Sequence, residues 1–85
     1  MDYELILSHL KLARKHVAVG EKLVTNQRAL VRRLEEDGHD TSEAKLLLVQ
    51  FEEVQQMYVA DMERLEKELL KLRSQTPRNQ QEKGG

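Results

Sequence analysis

Apolar residues recur every three or four positions through two long stretches of this sequence, and one short polar segment separates the stretches. This spacing is typical of the stripe that one α-helix buries against another. The separating segment is 38–42: Gly38 can end a helix, and Asp40 followed three residues later by Glu43 is a helix-capping pattern. The sequence therefore predicts a helical hairpin over 1–74, with helix 1 at about 2–37, a turn at 38–40 and helix 2 at about 41–74.

The main apolar stripes of the two helices predict the seam along which they pack as an antiparallel coiled coil. The seam comprises Tyr3, Ile6, Leu10, Ala13, Val17, Gly20, Val24, Gln27, Val31 and Leu34 in helix 1, and Leu47, Phe51, Val54, Tyr58, Met62, Leu65, Leu69 and Leu72 in helix 2. An extra step of four residues between Tyr58 and Met62 interrupts the heptad spacing and predicts local unwinding of the supercoil. Counting away from the turn places Gly20 opposite Tyr58, so the glycine leaves room for the ring. The same count places His16 level with Asp61 and predicts an ion pair. The alternative is that His16 is buried among Leu12, Val19 and the partner chain, where the dimer would respond to pH.

Helix 1 carries a second stripe beside the seam, and one partner helix cannot cover both stripes. Its members are Leu5, His9, Leu12, His16, Val19, Leu23, Asn26 and Leu30. Helix 2 adds apolar residues outside its own seam, among them Met57 and Leu70. Because long exposed apolar strips are typical of interfaces, we expect the second stripe to be a dimer interface. The fold expected from the sequence is thus an all-α, coiled-coil-like hairpin that forms a homodimeric four-helix bundle.

Charge is unevenly distributed along the predicted hairpin. Residues 64–78 contain five basic against two acidic side chains, whereas the turn is acidic. The acidic side chains at the turn are Glu35, Glu36, Asp37, Asp40 and Glu43. An antiparallel dimer would place each acidic turn beside the basic end of its partner. The alternative interpretation is that the acidic turn is ordinary solvated surface.

The composition narrows the class of protein. The 85 residues include no cysteine for a disulfide or thiolate site, and the net charge of -1 favours neither nucleic acid nor anionic lipid. No apolar run is long enough to span a membrane, so we expect a cytoplasmic protein without a membrane partner. Residues 75–85 contain no apolar side chain and include the only proline, so we expect a disordered tail there.

Few residues are candidates for metal binding or catalysis. His9 and His16 share the second stripe, so a two-fold dimer could gather four imidazoles as a metal or pH sensor. They lie seven residues apart, however, whereas one helix chelates a metal through histidines three or four apart, and we favour hydrogen-bonded interface histidines. The sequence contains no Ser/His/Asp set and no phosphate-binding glycine loop, so we expect no enzymatic activity, no metal and no cofactor.

We therefore predict a non-enzymatic protein-protein interaction or regulatory module with an unidentified protein partner. The alternative is a small nucleic-acid-associated protein that uses the basic side of helix 1. Acidic residues interleave with this side and no aromatic residue is placed for stacking on bases, which makes nucleic acid the weaker hypothesis. The basic side consists of Lys11, Arg14, Lys15, Lys22, Arg28 and Arg32.

Three groups of residues carry a resemblance to a known family. They are His16-Val17-Ala18 with Gly20-Glu21, the turn 34–41, and Ala44, Leu47, Leu48, Phe51-Glu52-Glu53 and 61–64. Over most of residues 9–69 the chain resembles short uncharacterised proteins of alphaproteobacteria that look like single helical hairpins. The resemblance implies a bacterial cytosolic origin and a hairpin, and it implies no known activity.

Overall fold

The computed structural model describes residues 2–75 and contains two α-helices of 34 residues each, α1 at Tyr3–Glu36 and α2 at Ser42–Gln75. Arg14 pairs with Glu66 and Arg28 with Glu52, so the contacts descend along α2 as they ascend along α1 and the helices are antiparallel. No strand occurs within residues 2–75. The predicted all-α hairpin is confirmed. The predicted disordered tail lies, from residue 76 onwards, outside the described residues.

A Schellman motif ends α1. The N–H of His39 donates to the Leu34 carbonyl at 2.9 Å, and the N–H of Gly38 donates to the Glu35 carbonyl at 3.1 Å. Gly38 has a φ of 76°, a conformation that strains residues with a Cβ atom. The chain therefore reverses direction at the glycine that the sequence marks as the helix end.

An aspartate precedes each helix. The Asp2 side chain accepts a hydrogen bond from the Glu4 N–H at 3.3 Å. Asp40 Oδ1 accepts from the N–H of Ser42 at 3.0 Å and from its hydroxyl at 2.8 Å, and these bonds lower the pKa of Asp40. Because Asp40 bonds to the residue two positions on, α2 begins with an Asx turn at Ser42 and not with the predicted pairing of Asp40 with Glu43.

The packed core lies towards the end of the hairpin that is opposite the turn, which we call the terminal end. There Ile6, Leu10 and Ala13 of α1 surround Leu65 of α2. Met62, Leu69 and Leu72 pack against this cluster. The buried residues of α1 continue along one stripe towards the turn through Gly20, Val24, Gln27 and Val31.

The seam of α2 differs from the predicted one in the half near the turn. Val54 is 43% exposed and Leu47 is 40% exposed. Apart from Glu52, which pairs with Arg28, the half-buried positions from 42 to 58 are Ala44, Leu48, Phe51, Gln55 and Tyr58. Continued from the core, these positions keep strictly alternating steps of four and three residues, so the predicted extra step between Tyr58 and Met62 is wrong. An unbroken heptad phase places the polar Gln55 in the seam and turns Val54 to its side.

Two glutamine amides bridge the helices in place of apolar contacts. Gln55 Nε2 donates to the Val17 carbonyl at 2.9 Å, and Gln27 Nε2 donates to the Ala44 carbonyl at 3.0 Å. Gly20 makes room for the first of these amides: a Cβ atom built at residue 20 would lie 1.8 Å from Gln55 Oε1, and 3.3 Å from Cδ2 of Tyr58. The glycine thus admits the amide of Gln55 more than the ring of Tyr58.

Candidate interaction surface

One long side of the hairpin is closed by salt bridges between the helices, and we call it the bridged flank. Arg14 pairs with Glu66 at 3.4 Å, and Arg28 pairs with Glu52 at 3.0 Å. Near the turn, Lys45 pairs with Glu35 at 3.2 Å. Each exposed pair stabilises the fold only slightly. Together they cover this side of the seam with satisfied charges.

The opposite long side, which we call the unbridged flank, carries most of the exposed apolar side chains near the seam. All eight residues of the second stripe of α1 lie here and all are exposed: Leu5, His9, Leu12, His16, Val19, Leu23, Asn26 and Leu30. None of the interhelical salt bridges among residues 2–75 lies on this side. The hairpin alone therefore leaves the predicted dimer interface in solvent.

The shifted seam of α2 enlarges this surface. Leu47 and Val54, expected inside the hairpin, lie on the unbridged flank, as does Met57 with 70% exposure. Leu47 and Val54 are the flank residues that the sequence analysis missed. Extending the four-three spacing backwards from Leu72 and Leu65 would have found them, because it leads to Gln55 and Leu48 in the seam.

The unbridged flank differs between its two halves. Towards the turn, α2 contributes Leu47, Val54 and Met57. Towards the terminal end, α2 contributes Arg64, which donates to Asp61 and to Glu68. The hydrogen bond and charge of Asp61, followed by those of Glu68, hold the pKa of Arg64 above its ordinary value. The half near the turn thus exposes apolar side chains on both helices, whereas the other half combines Leu5 and Leu12 of α1 with a charged triad of α2.

The histidines of the flank have different surroundings from those expected. The His16 ring stacks on Tyr58, with ring centroids 5.1 Å apart and an interplanar angle of 29°. Asp61 pairs with Arg64, so the predicted ion pair between His16 and Asp61 is not formed. The ring of His16 instead lies against Tyr58, a residue of the seam. No group of three or more histidine, aspartate or glutamate side chains within residues 2–75 is arranged to hold a metal ion.

The basic side of α1 is partly neutralised by α2. Arg14 and Arg28, two of the six cations on this side, lie on the bridged flank and are paired with Glu66 and Glu52. A nucleic-acid phosphate at either arginine would compete with a carboxylate already in place.

Within residues 2–75, neither helix has the length and apolar content required to cross a lipid bilayer.

Comparison with protein-family models, with curated proteins and with solved structures finds no match to the chain.

Proposed function

We propose that this protein is a non-enzymatic interaction or regulatory module that works as a homodimeric four-helix bundle, with the unbridged flank as the dimer interface. The observation that supports this proposal is the asymmetry of the hairpin. Salt bridges close one flank, whereas the other exposes Leu23, Leu30, Leu47 and Val54 side by side.

Burial of this apolar surface would supply the free energy of association. Each square ångström of apolar surface removed from water contributes about 25 cal/mol. A second hairpin offers a two-helix layer of the same length, at about 1.5 Å per residue, so it can cover the whole flank. The two bridged flanks would then form the outer faces of the bundle and would be available to another protein.

A pair of matched valine substitutions tests this proposal. Val19 lies on the unbridged flank and is 57% exposed, whereas Val49 lies on the outer side of α2 next to the bridged flank and is 48% exposed. We expect Val19→Glu to convert the dimer to a monomer, because it would bury a carboxylate against the partner. Val49→Glu, with the same change in charge and helix propensity, should remain dimeric. Sedimentation equilibrium over a range of concentrations measures both.

A monomeric, folded wild type at tens of micromolar would contradict the proposal, as would equal behaviour of the two variants. Leu23→Glu provides a second variant on the same flank, 44% exposed in the hairpin. Circular dichroism of each variant shows whether a loss of mass reflects dissociation or unfolding of the helices.

A salt titration separates this proposal from the nucleic-acid alternative. A protein that binds phosphates through the basic side of α1 should lose affinity for a DNA or RNA duplex steeply as the salt concentration rises. We expect the protein to show no such binding at physiological salt. Salt-sensitive binding that is lost in a Lys15→Ala, Lys22→Ala double variant would favour the alternative.

A further inference from the structure

We infer that the two hairpins of the dimer face each other with both turns at the same end, so that α1 of one copy lies on α2 of the other. This inference rests on the proposed homodimer and specifies its geometry. Two layers that meet through their unbridged flanks can be related by a two-fold axis in only two directions. An axis along the helices gives this same-end dimer, and an axis across the helices gives an opposed dimer, with the turns at opposite ends.

Within one hairpin, Gly20 contacts Tyr58, which fixes the residues of the two helices that lie at equal height. Leu23, three residues after Gly20, is therefore level with Val54, four residues before Tyr58. A two-fold axis along the helices leaves the position of each residue along that axis unchanged, so equivalent residues of both copies lie at the same height in the same-end dimer. Each flank residue of α1 then meets the α2 residue of the partner at its own height.

The same-end dimer matches the residues of the flank by chemical type. Its apolar pairs are Leu30 with Leu47, Leu23 with Val54, and Val19 with Met57. Asn26 meets Gln50, and its charged or titratable pairs are Arg33 with Glu43, His16 with Asp61, and His9 with Glu68. The remaining two pairs are Leu5 with Lys71 and Leu12 with Arg64. Lys71 can extend its charge to solvent, whereas Arg64 contacts the leucine through the aliphatic part of its side chain and stays paired with Asp61 and Glu68. Apolar surface is thus covered by apolar surface in the half near the turn.

The opposed dimer mismatches the same residues. With the hairpins centred on each other, Glu43 meets Lys71 of the partner subunit, which is a favourable pair. Val54, however, meets Asp61 of the partner subunit and Leu47 meets Glu68 of the partner subunit. Asp61 and Glu68 are held by Arg64 on their own helix, so this arrangement would press a charged triad against apolar side chains. Burial of charged groups without new partners is costly. The opposed arrangement is therefore the less stable one.

The acidic turns do not reverse this conclusion. A same-end dimer brings the two turns together, but Glu35 is already paired with Lys45 on the bridged flank. Of the acidic residues at the turn, Glu43 lies on the unbridged flank, where it meets Arg33 of the partner subunit. The other carboxylates are exposed and are screened over about 8 Å at physiological ionic strength.

Distances between spin labels test the orientation. Because the chain has no cysteine, His39→Cys at the exposed turn and Ala18→Cys at mid-helix each carry one label per subunit. In the same-end dimer the two layers are about 8–10 Å apart, so labels at residue 39 should lie within roughly 30 Å of each other. In the opposed dimer they should be separated by about 50–60 Å, slightly more than the length of a helix, because residue 39 lies beyond the helix ends. Labels at residue 18 lie close together in both arrangements and report that the dimer has formed.

A short distance at both sites supports the same-end dimer. A long distance at residue 39 with a short one at residue 18 overturns this inference and leaves the homodimer intact. The absence of a dipolar signal at both sites overturns the homodimer itself, and this outcome is checked on the unlabelled wild type by sedimentation equilibrium.

Discussion

Replacement of Gly20 by alanine tests whether the glycine exists to admit the amide of Gln55. In the interior of a helix, alanine is favoured over glycine by about 1 kcal/mol. The added Cβ would lie 1.8 Å from Gln55 Oε1 and 2.7 Å from its Cδ, so the amide would have to move and its bond to the Val17 carbonyl would break. Loss of that hydrogen bond costs about 1 kcal/mol. We therefore expect Gly20→Ala to change the free energy of unfolding by less than about 0.5 kcal/mol.

When the Gln55 amide is removed, the higher helix propensity of alanine at position 20 should increase the free energy of unfolding. In a Gln55→Ala background the alanine at position 20 meets no obstacle from residue 55, and its nearest remaining neighbour is Tyr58 at 3.3 Å. We expect Gly20→Ala to stabilise this background by about 1 kcal/mol, which gives a coupling energy of about 1 kcal/mol between positions 20 and 55. Urea denaturation followed by circular dichroism, at one fixed protein concentration, measures all four members of the cycle.

An exposed position on the same helix serves as the control. Ala18→Gly should cost about 1 kcal/mol both with and without Gln55. If Gly20→Ala has the same effect in both backgrounds, within about 0.3 kcal/mol, the glycine has no connection with the amide and the packing argument is wrong. Gly20→Leu extends the series: overpacking against Tyr58 should destabilise the hairpin by about 1–3 kcal/mol despite its higher helix propensity.

Three further predictions concern the turn and the second amide. Gly38→Ala should destabilise the protein by about 1–2 kcal/mol in thermal or urea unfolding, because φ is positive there and no atom lies near enough to add a steric effect; Gly38→Asn should cost less. Gln27→Leu should change the free energy of unfolding by less than about 1 kcal/mol, because the donor is removed and the Ala44 carbonyl keeps its place in the helix, whereas Gln27→Glu should cost about 1–3 kcal/mol. The pKa of Asp40 is lowered in the folded state by its bonds to Ser42, so its stabilisation is present above the unfolded pKa and is lost as the pH falls through the folded one. Melting temperatures measured from pH 5 down to pH 2 should therefore fall less in Asp40→Asn than in wild type.

The hairpin, its turn and the buried stripe of α1 can be derived from local signals. Helical spacing sets the stripe, and a glycine at position 38 is the residue that tolerates the conformation of the turn. The phase of α2 could not be derived in the same way, because Val54 and Gln55 are adjacent and hydrophobicity alone favours the valine. The packing of Leu65, Met62, Leu69 and Leu72 fixes that phase from the terminal end.

The polar members of the seam also depend on tertiary contacts. A glutamine is suited to a seam when a carbonyl lies within reach and a small residue lies opposite, and both conditions come from the other helix. Val17 and Gly20 satisfy them for Gln55. A pattern of single residues carries no such pairwise information, and the assignment of Val54 to the seam was wrong for this reason.

The polar seam and the apolar flank are two consequences of one heptad phase. Gly20, Gln27 and Gln55 lie in the seam, so the middle of the hairpin has less apolar contact between its helices. It has instead two hydrogen bonds from glutamine side chains to backbone carbonyls, and these form only when the helices are correctly aligned. The same phase leaves Leu47 and Val54 on the unbridged flank, beside the second stripe of α1. Polar contacts that form only at the correct register specify which helix faces meet, and they contribute little net free energy. The apolar surface that would otherwise stabilise the hairpin lies on the unbridged flank, where residues 2–75 leave it exposed, so in the proposed homodimer the folding of the hairpin and its association should be linked.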